Sequence, residues 1–313
     1  MGRGSGYGKV ILFGEHFVVH GIPGIVSAID STTDAEVKKT NILGINIRDE
    51  RKGSKGYTEK KKVQQIESIN RMLDAMRLDR NVSLDIWLGG NLPGFSGIGA
   101  SAASSVAIAR AISKEFGFNF TDERINEIAY EAEKSYAGTP SGIDNTAATF
   151  GGLIWFKKNL SGRPDNIERL NIKKPVEIIM ANSGIVADTK EMVLGVAERK
   201  KKYPEKYDKI FKQYEELAFK ARKALEDFNL KRVGNLMNDN HHLLQGIEVS
   251  CKELDYLVDL ARMNGAYGAK LTGGGGGGCI VALTPGKELQ EKVAKTIEKE
   301  GFKVLRTKVG VKK

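Results

Sequence analysis

Cysteine is scarce in this chain of 313 residues, and long apolar runs are absent. The two cysteines, Cys251 and Cys279, stand outside any C-x-x-C or Cys/His spacing, which excludes a disulfide framework and a cysteine-based zinc site. We expect both to be small buried residues. No run of about eighteen apolar residues is present to span a bilayer, and the first residues lack the apolar core of a signal peptide. We therefore expect a cytoplasmic protein.

Charge is unbalanced toward the basic side, with 49 basic and 39 acidic residues and a net charge of +10. This balance suits nucleic acid, an anionic membrane surface or an anionic small substrate, and does not choose among them. The basic residues are dispersed, and the run Arg199–Lys202 ends a helical pattern, where cations favour the helix dipole. Because no aromatic residues are interleaved as stacking platforms, solvated helix faces are favoured over a nucleic-acid surface.

Apolar and polar residues alternate with both strand and helix periods, without strict βα alternation, which predicts an α+β fold. A polar segment at 157–175 has the composition of a domain connection, so we predict domains at 1–175 and 176–313, divided at Pro175. Strands are predicted at 9–20, 24–38, 42–47, 82–88, 151–156, 176–183, 267–272, 279–283 and 302–310, the last as an edge strand. Helices are predicted at 59–76, 101–115, 121–135, 188–242, 252–265 and 288–301.

A run of six glycines, Gly273–Gly278, lies between the strand-like segments YGAKLT and CIVAL. Gly-rich tracts usually behave as flexible linkers. Flanking strands this close favour a tight loop inside a domain instead. Glycine then supplies backbone that adopts positive φ and comes within contact distance of a ligand or another loop.

A second glycine-rich loop, Leu92–Ser105, follows a predicted strand and opens an Ala-rich helix. Gly94, Gly97 and Gly99 stand where backbone N–H groups can face outward, and helix N-termini bind anions. The loop is therefore a candidate phosphate cradle, although it matches neither G-x-x-x-x-G-K-[ST] nor G-x-G-x-x-G in a βαβ setting. On spacing alone a plain loop remains an equal alternative.

Three segments taken together resemble the three motifs of the GHMP kinases, in the same order. They are GKVILFGEH at Gly8–His16, the P-x-x-x-G-x-G-x-S-A-A pattern of Pro93–Ala103, and KLTGGGGGGC at Lys270–Cys279. Within that family, FGEHFVVHG at Phe13–Gly21 and GTPSGIDNTAATFGG at Gly138–Gly152 are most similar to the mevalonate kinases.

The resemblance covers nearly the whole chain, up to about Leu283, with small departures. Gly6-Tyr7 replaces the usual Ala-Pro, Ala100 the first serine of a GLGSSAA pattern, and Gly274 the alanine of GAGGGG. It implies a ribosomal-protein-like N-terminal αβ domain and a ferredoxin-like C-terminal αβ domain, with the active site in the cleft between them. It also implies phosphorylation of the 5-hydroxyl of mevalonate by ATP, with Mg²⁺, giving 5-phosphomevalonate and ADP. The implied partners are mevalonate and ATP, without nucleic acid or membrane, and a homodimer is allowed.

The resemblance also assigns site residues. Asp144 would be the catalytic base paired with Lys9, and the metal would be held by Ser101 and Glu133. By the residues alone, a solvated helix residue is the favoured interpretation of Glu133, and a turn or cap aspartate in a loop is the favoured interpretation of Asp144. The implied substrate contacts are Glu15, His16, Thr189 and Asp144. The implied nucleotide contacts are Pro93, Gly94, Phe95, Ser96, Gly97, Ile98, Gly99, Ala100, Ser101, Ala102, Gly274 and Gly275, with the glycine run packed across the phosphate loop.

Two alternatives stay open at this stage. A sister GHMP activity, such as phosphomevalonate kinase or a kinase acting at the 3-hydroxyl of mevalonate, would keep the nucleotide loops and change the substrate pocket. A basic nucleic-acid-binding protein would use the net charge and show steeply salt-dependent RNA binding. That second alternative leaves all three glycine motifs unexplained.

Overall fold

The computed structural model describes residues 1–51, 55–93, 97–137, 140–162 and 165–311, with the side chains of 55–61 and 137 left out. Its strands in these ranges are β1 (Gly2–Phe13), β2 (Gly24–Lys39), β3 (Ile45–Asp49), β4 (Leu84–Gly90), β5 (Leu153–Lys157), β6 (Asn166–Leu170), β7 (Val176–Asn182), β8 (Gly268–Thr272), β9 (Cys279–Leu283) and β10 (Lys303–Val309). Its helices are α1 (Lys55–Ala75), α2 (Ala100–Glu115), α3 (Asp122–Ala137), α4 (Ile143–Phe150), α5 (Thr189–Lys202), α6 (Pro204–Glu226), α7 (Leu230–Gly246), α8 (Lys252–Met263) and α9 (Lys287–Lys299). The predicted α+β class is confirmed.

The chain folds into two compact units. The first comprises Met1–Lys9 and Ile29–Gly151, and the second comprises Val10–Ala28 and Gly152–Lys313. Strands β1 and β2 therefore each contribute residues to both units. This division into compact units differs from the predicted domain boundary at Pro175. The domains at 1–175 and 176–313 stay a prediction.

The first unit packs helices on a small sheet. β3 and β4 pair in parallel, and β4 pairs antiparallel with β2. Apolar side chains that alternate along β2 and β4, such as Val37 and Ile86, meet Ile69 and Met72 of α1 in one buried cluster. The Ala-rich helix α2 lies in this core with most of its residues buried. Small side chains suit that position, because they let neighbouring backbones approach closely.

Alternate glycines of β1 bring that strand against α2. A Cβ built on Gly4 would lie 2.3 Å from the Ala107 carbonyl oxygen, and one on Gly6 would lie 2.2 Å from that of Ala103. Distances this short leave no room for a side chain on these positions. The strand therefore fixes the place of α2, along which Ala103 and Ala107 lie one turn apart.

The second unit contains the antiparallel strand order β10-β7-β9-β8. Every residue of β9 is buried, as expected for a central apolar strand. Helices α7 and α8 pack on β8, and α9 packs on β7 and β10. The long helix α6 buries one stripe that includes Tyr207, Phe211 and Tyr214, at the spacing of an amphipathic helix.

Several predicted elements end differently in the structure. The strand expected to reach His20 ends at Phe13, because Gly14 takes φ 124° and His16 takes φ 64°, and a 3-10 turn follows. The long helical region at 188–242 divides into three helices, one break falling where Pro204 starts α6. The C-terminal strand is not an edge strand, since β10 has β2 on one side and β7 on the other.

Two further expectations were wrong in detail. Part of the polar connection at 157–175 forms β6, which pairs antiparallel with β5. Cys251 is half-buried where α8 begins, while Cys279 is buried as expected. Among the described residues, none of the helices is long and apolar enough to cross a membrane.

Candidate active site

The structure describes the phosphate-loop candidate up to Pro93 and again from Gly97 onward. Gly94, Phe95 and Ser96 lie outside the described residues. Gly99 is the N-cap of α2 with φ 72°, and it offers no side chain to cap the helix. A Cβ at Gly99 would lie 2.4 Å from Cγ of Lys9, whose backbone N–H donates to the Ile98 carbonyl at 2.9 Å. Glycine is therefore required where the loop passes over this lysine.

The first amides of α2 have no acceptor inside the helix, because its first helical bond runs from the Ala103 N–H to the Gly99 carbonyl. These amides belong to Ala100, Ser101 and Ala102. Together with the helix dipole they form an anion-binding terminus of the kind that holds phosphate groups.

Lys9 and Asp144 form an ion pair in the first unit, with 3.0 Å between Nζ and Oδ1. The Lys9 side chain is 4% exposed and that of Asp144 is 35% exposed, although Oδ1 of Asp144 is itself buried. Asp144 does not lie in a loop, as the sequence suggested, but is the second residue of α4. That short helix has Gly142 in a left-handed conformation at its N-cap and buries Ile143 and Ala147. Burial compensates for the weak helix propensity of the segment.

Glu133 of α3 points at the first two turns of α2. Its carboxylate accepts hydrogen bonds from the hydroxyl groups of Ser101 and Ser105, both at 3.1 Å. Burial, aided by the charge of Asp144, raises the pKa of Glu133 to about 7, against the opposing effect of the two hydroxyls and of Lys9. The negative charge of this buried carboxylate is poorly compensated by its neighbours. Together with the adjacent Ser101 hydroxyl it forms a set of oxygen donors that suits Mg²⁺. Glu133 is therefore not a solvated helix residue.

The second unit brings together two other residues that the sequence singled out, His16 and Gly274. The Nε2 of His16 lies 2.8 Å from the Gly274 carbonyl oxygen; since a carbonyl only accepts, Nε2 carries the proton. Burial lowers the pKa of His16 to about 4, helped by the charge of Arg199, so the ring is neutral at pH 7. Its Nδ1 is buried and has no hydrogen-bond partner among the described residues. His16 thus presents an acceptor.

Glu15 is fully buried and forms an ion pair with Lys270 of β8, which is also fully buried. Lys270 donates a further hydrogen bond to the Leu271 carbonyl at 2.6 Å. The neighbouring Thr272 hydroxyl donates to the Ile11 carbonyl at 3.0 Å. These links join the segment around Glu15 to the strand that leads into the glycine run.

The glycine run contacts segments of its own unit. A Cβ on Gly274 would lie 2.7 Å from the hydroxyl of Thr189, the exposed first residue of α5. A Cβ on Gly275 would lie 2.1 Å from the Val249 carbonyl oxygen. The tight-loop interpretation is thereby favoured over a linker, and the predicted packing across the phosphate loop stays a prediction.

Sequence reasoning assigned no site role to three charged residues, Arg51, Arg199 and Lys270; it placed Arg199 only in the basic run that ends a helical pattern. In the structure Arg51 contacts the start of α2, the charge of Arg199 acts on His16, and Lys270 pairs with Glu15. Lys270 carried a usable signal, because a lysine inside an apolar strand requires a buried partner. Arg51 and Arg199 carried none, since their contacts depend on distant parts of the chain.

Comparison with known proteins agrees with the geometry. Family models described as "GHMP kinases N terminal domain" and "GHMP kinases C terminal" match residues 66–152 and 221–303. A mevalonate kinase from Thermococcus sibiricus is 34% identical over 96% of this chain and 94% of its own length.

Solved structures give the same result. The crystal structure of L. major mevalonate kinase in complex with R-mevalonate superposes with a TM-score of 0.92 and 38% identity, covering 99% of this chain and 96% of that one. The Methanococcus jannaschii mevalonate kinase gives a TM-score of 0.78 at 26% identity, covering 98% of both chains. The chain therefore belongs to the GHMP kinase family, within which these relatives are mevalonate kinases.

Proposed function

We propose that this protein transfers the γ-phosphoryl group of ATP to the 5-hydroxyl of mevalonate, giving 5-phosphomevalonate and ADP. The observation that carries the proposal is the Lys9–Asp144 ion pair, in the same unit as the uncapped start of α2 and with its lysine directly beneath Gly99. The activity of the relatives at 34% identity supports mevalonate as the acceptor.

Phosphoryl transfer demands a positioned nucleophile and compensation of phosphate charge rather than covalent chemistry from the protein. Asp144 is the accessible carboxylate that accepts the proton of the attacking hydroxyl as its bond to phosphorus forms. Lys9 holds that carboxylate in place through the ion pair and stabilises the developing negative charge on the hydroxyl oxygen.

The start of α2 is assigned to the phosphates, with the amides of Ala100, Ser101 and Ala102 as donors. The Ser101 hydroxyl and the Glu133 carboxylate would hold Mg²⁺, which neutralises charge on the β- and γ-phosphates when bound. The raised pKa of Glu133 supports this assignment, because a nearby dication would stabilise the ionised form.

The substrate side is assigned to the second unit. Nδ1 of the neutral His16 can only accept a hydrogen bond, so it suits a substrate hydroxyl rather than a carboxylate. Thr189 is exposed at the start of α5, and its hydroxyl is a hydrogen-bond donor that suits the carboxylate of mevalonate. Glu15 precedes His16 in the chain and forms a fully buried ion pair with Lys270, and a direct substrate contact from it stays a prediction.

Asp144→Asn tests the base. We expect turnover to fall by about 10²–10⁴-fold while ATP binding is retained, because the amide keeps the shape but does not accept the proton. An assay of coupled ADP release measures it, with Asp208→Asn, an exposed aspartate of α6, as the matched control. Turnover of Asp144→Asn at the control's level would refute the assignment.

The same assay, run on mevalonate, phosphomevalonate, homoserine and galactose, separates this activity from the sister kinases. Activity on mevalonate alone is the expected result, and preferential activity on another alcohol would replace the proposed substrate. The comparisons offer no support for the nucleic-acid alternative. A cytoplasmic location and a homodimer stay predictions.

A further inference from the structure

Arg51 lies two residues after β3, and its side chain is only 8% exposed. Its Nε and Nη2 donate to the two carboxylate oxygens of Asp49, at 2.9 and 2.6 Å. This paired geometry fixes the plane of the guanidinium group, which a lysine would not reproduce. The remaining nitrogen, Nη1, is thereby aimed away from Asp49.

Nη1 of Arg51 points at the first turn of α2. It donates to the Ser104 hydroxyl at 2.7 Å and approaches the Ala100 carbonyl oxygen at 3.4 Å. The Ser104 hydroxyl in turn donates to the same Ala100 carbonyl at 2.7 Å. A third contact, to the Thr33 hydroxyl of β2 at 3.2 Å, ties the group to the sheet.

The first turn of α2 is therefore held on two faces by buried charges. Positions four apart share a face of a helix. One face carries Ser101 and Ser105, which donate to Glu133. The face beside it, rotated by about 100°, carries Ala100 and Ser104, which contact Arg51. Because the N-cap is a glycine without a capping side chain, the direction of the first amides depends on these lateral contacts.

We propose that Arg51 is a positioning residue for nucleotide binding, which holds the first turn of α2 so that its amides converge on the phosphate groups. The inference rests on the proposed assignment of α2 to the phosphates. The guanidinium nitrogens of Arg51 donate to Asp49 and to Ser104. Arg51 therefore acts on nucleotide binding through α2 and does not bind the ligand itself.

The test measures nucleotide affinity by calorimetry, using ADP in the presence of EDTA and then Mg-ATP, together with steady-state kinetics. For Arg51→Met we expect the dissociation constants of both nucleotides to rise by about 10-fold. The reason is that α2 loses the two contacts that the charged Arg51 Nη1 makes with Ser104 and Ala100. The KM for mevalonate should stay within about twofold, because the groups that Arg51 contacts are not among the residues assigned to the substrate.

Removing Arg51 alone takes the cation away from the Asp49 carboxylate, whose side chain is only 12% exposed, and this loss lowers stability. The double variant Asp49→Asn/Arg51→Met removes both charges, and should fold while keeping the weakened nucleotide affinity. Ser104→Ala removes only the hydroxyl between Arg51 and the helix and is expected to weaken nucleotide binding by about twofold to fivefold. Arg48→Met, at an exposed arginine of β3, is the matched control and should leave both affinities unchanged.

Two outcomes separate this inference from the assignment on which it rests. If Ser101→Ala weakens Mg-ATP binding while the double variant folds and binds nucleotide like the control, the positioning role of Arg51 is overturned and the phosphate site stands. If both Ser101→Ala and the double variant bind Mg-ATP normally, the metal assignment of the Ser101 hydroxyl and the positioning role of Arg51 are both wrong. A lower melting temperature with unchanged nucleotide affinity would likewise reduce Arg51 to a structural residue.

Discussion

Substitution of Lys270 by methionine should destabilise the second unit by about 3–5 kcal/mol, because it breaks a fully buried ion pair by removing one of its two charges. Both side chains are 0% exposed, so water does not replace the missing charge. The lysine also gives up its hydrogen bond to the Leu271 carbonyl.

Tryptophan fluorescence during urea denaturation reports this loss, because the two tryptophans fall in different units. Trp155 lies buried on β5 in the second unit, and Trp87 lies on β4 in the first. In a Trp87→Phe background the signal follows the second unit alone. The matched control is Lys223→Met on α6, whose exposed pair with Asp227 is worth at most about 0.5 kcal/mol.

The double variant Glu15→Gln/Lys270→Met completes the test. It removes both buried charges, and replacement of a buried pair by neutral groups is often close to neutral in stability. We therefore expect it to recover most of the stability lost by Lys270→Met. A loss below about 1 kcal/mol in the single variant, or a double variant as unstable as the single one, would refute the reasoning.

Three further predictions concern stability. Because the pKa of His16 is about 4 when folded and 6.5 when unfolded, the unfolded state takes the proton first, and unfolding free energy should fall by up to about 3 kcal/mol as pH drops from 6.5 to 4. Gly275→Ala should cost more than about 2 kcal/mol by urea denaturation, since φ is 73° and the new Cβ meets the Val249 carbonyl at 2.1 Å. Gly6→Ala should destabilise the first unit by about 1–3 kcal/mol, followed by Trp87 fluorescence, because its Cβ meets the Ala103 carbonyl.

Each of these predictions has an internal comparison. His16→Gln should flatten the loss between pH 6.5 and 4, and an unchanged slope would assign that proton to another group. Gly278→Ala separates strain from collision, because Gly278 has φ 77° but no atom within 4 Å of a Cβ. Equal losses at Gly275 and Gly278 would contradict the collision. For Gly6→Ala, the midpoint of urea unfolding is followed by Trp87 fluorescence. A midpoint equal to that of the wild type would contradict the prediction, because it would mean that β1 and α2 can move apart with little loss of stability.

Local pattern predicted most of the fold. The buried positions Tyr207, Phe211, Tyr214, Ala218 and Ala221 of α6 alternate in steps of four and three, and that period identifies a helix without any tertiary information. Continuous apolar runs likewise marked β7 and β9. The ends of helices and strands were less predictable where a single residue with positive φ ends the element, as Gly14 does after β1.

The pairing of charges could not be predicted in the same way. Lys270 and Glu15 are 255 positions apart, and Arg51 and Ser104 are 53 apart, so no period or spacing relates them. The motifs placed Lys9 and Asp144 in one site only through the resemblance to a family; the residues alone favoured a turn for Asp144. Which carboxylates are buried, and which cation faces each, is decided by how distant segments pack.

The glycine run shows where composition stops being informative. Six consecutive glycines between two strands predict a tight loop, but the prediction treats all six alike. In the structure Gly275 combines a left-handed backbone with a carbonyl 2.1 Å from any Cβ, whereas Gly278 has the same backbone region and open space around it. An alanine at Gly278 therefore meets only the cost of its φ, about 1–2 kcal/mol, and an alanine at Gly275 must also move the Val249 backbone. The identity of the glycines that tolerate no substitution follows from neighbours that lie elsewhere in the chain.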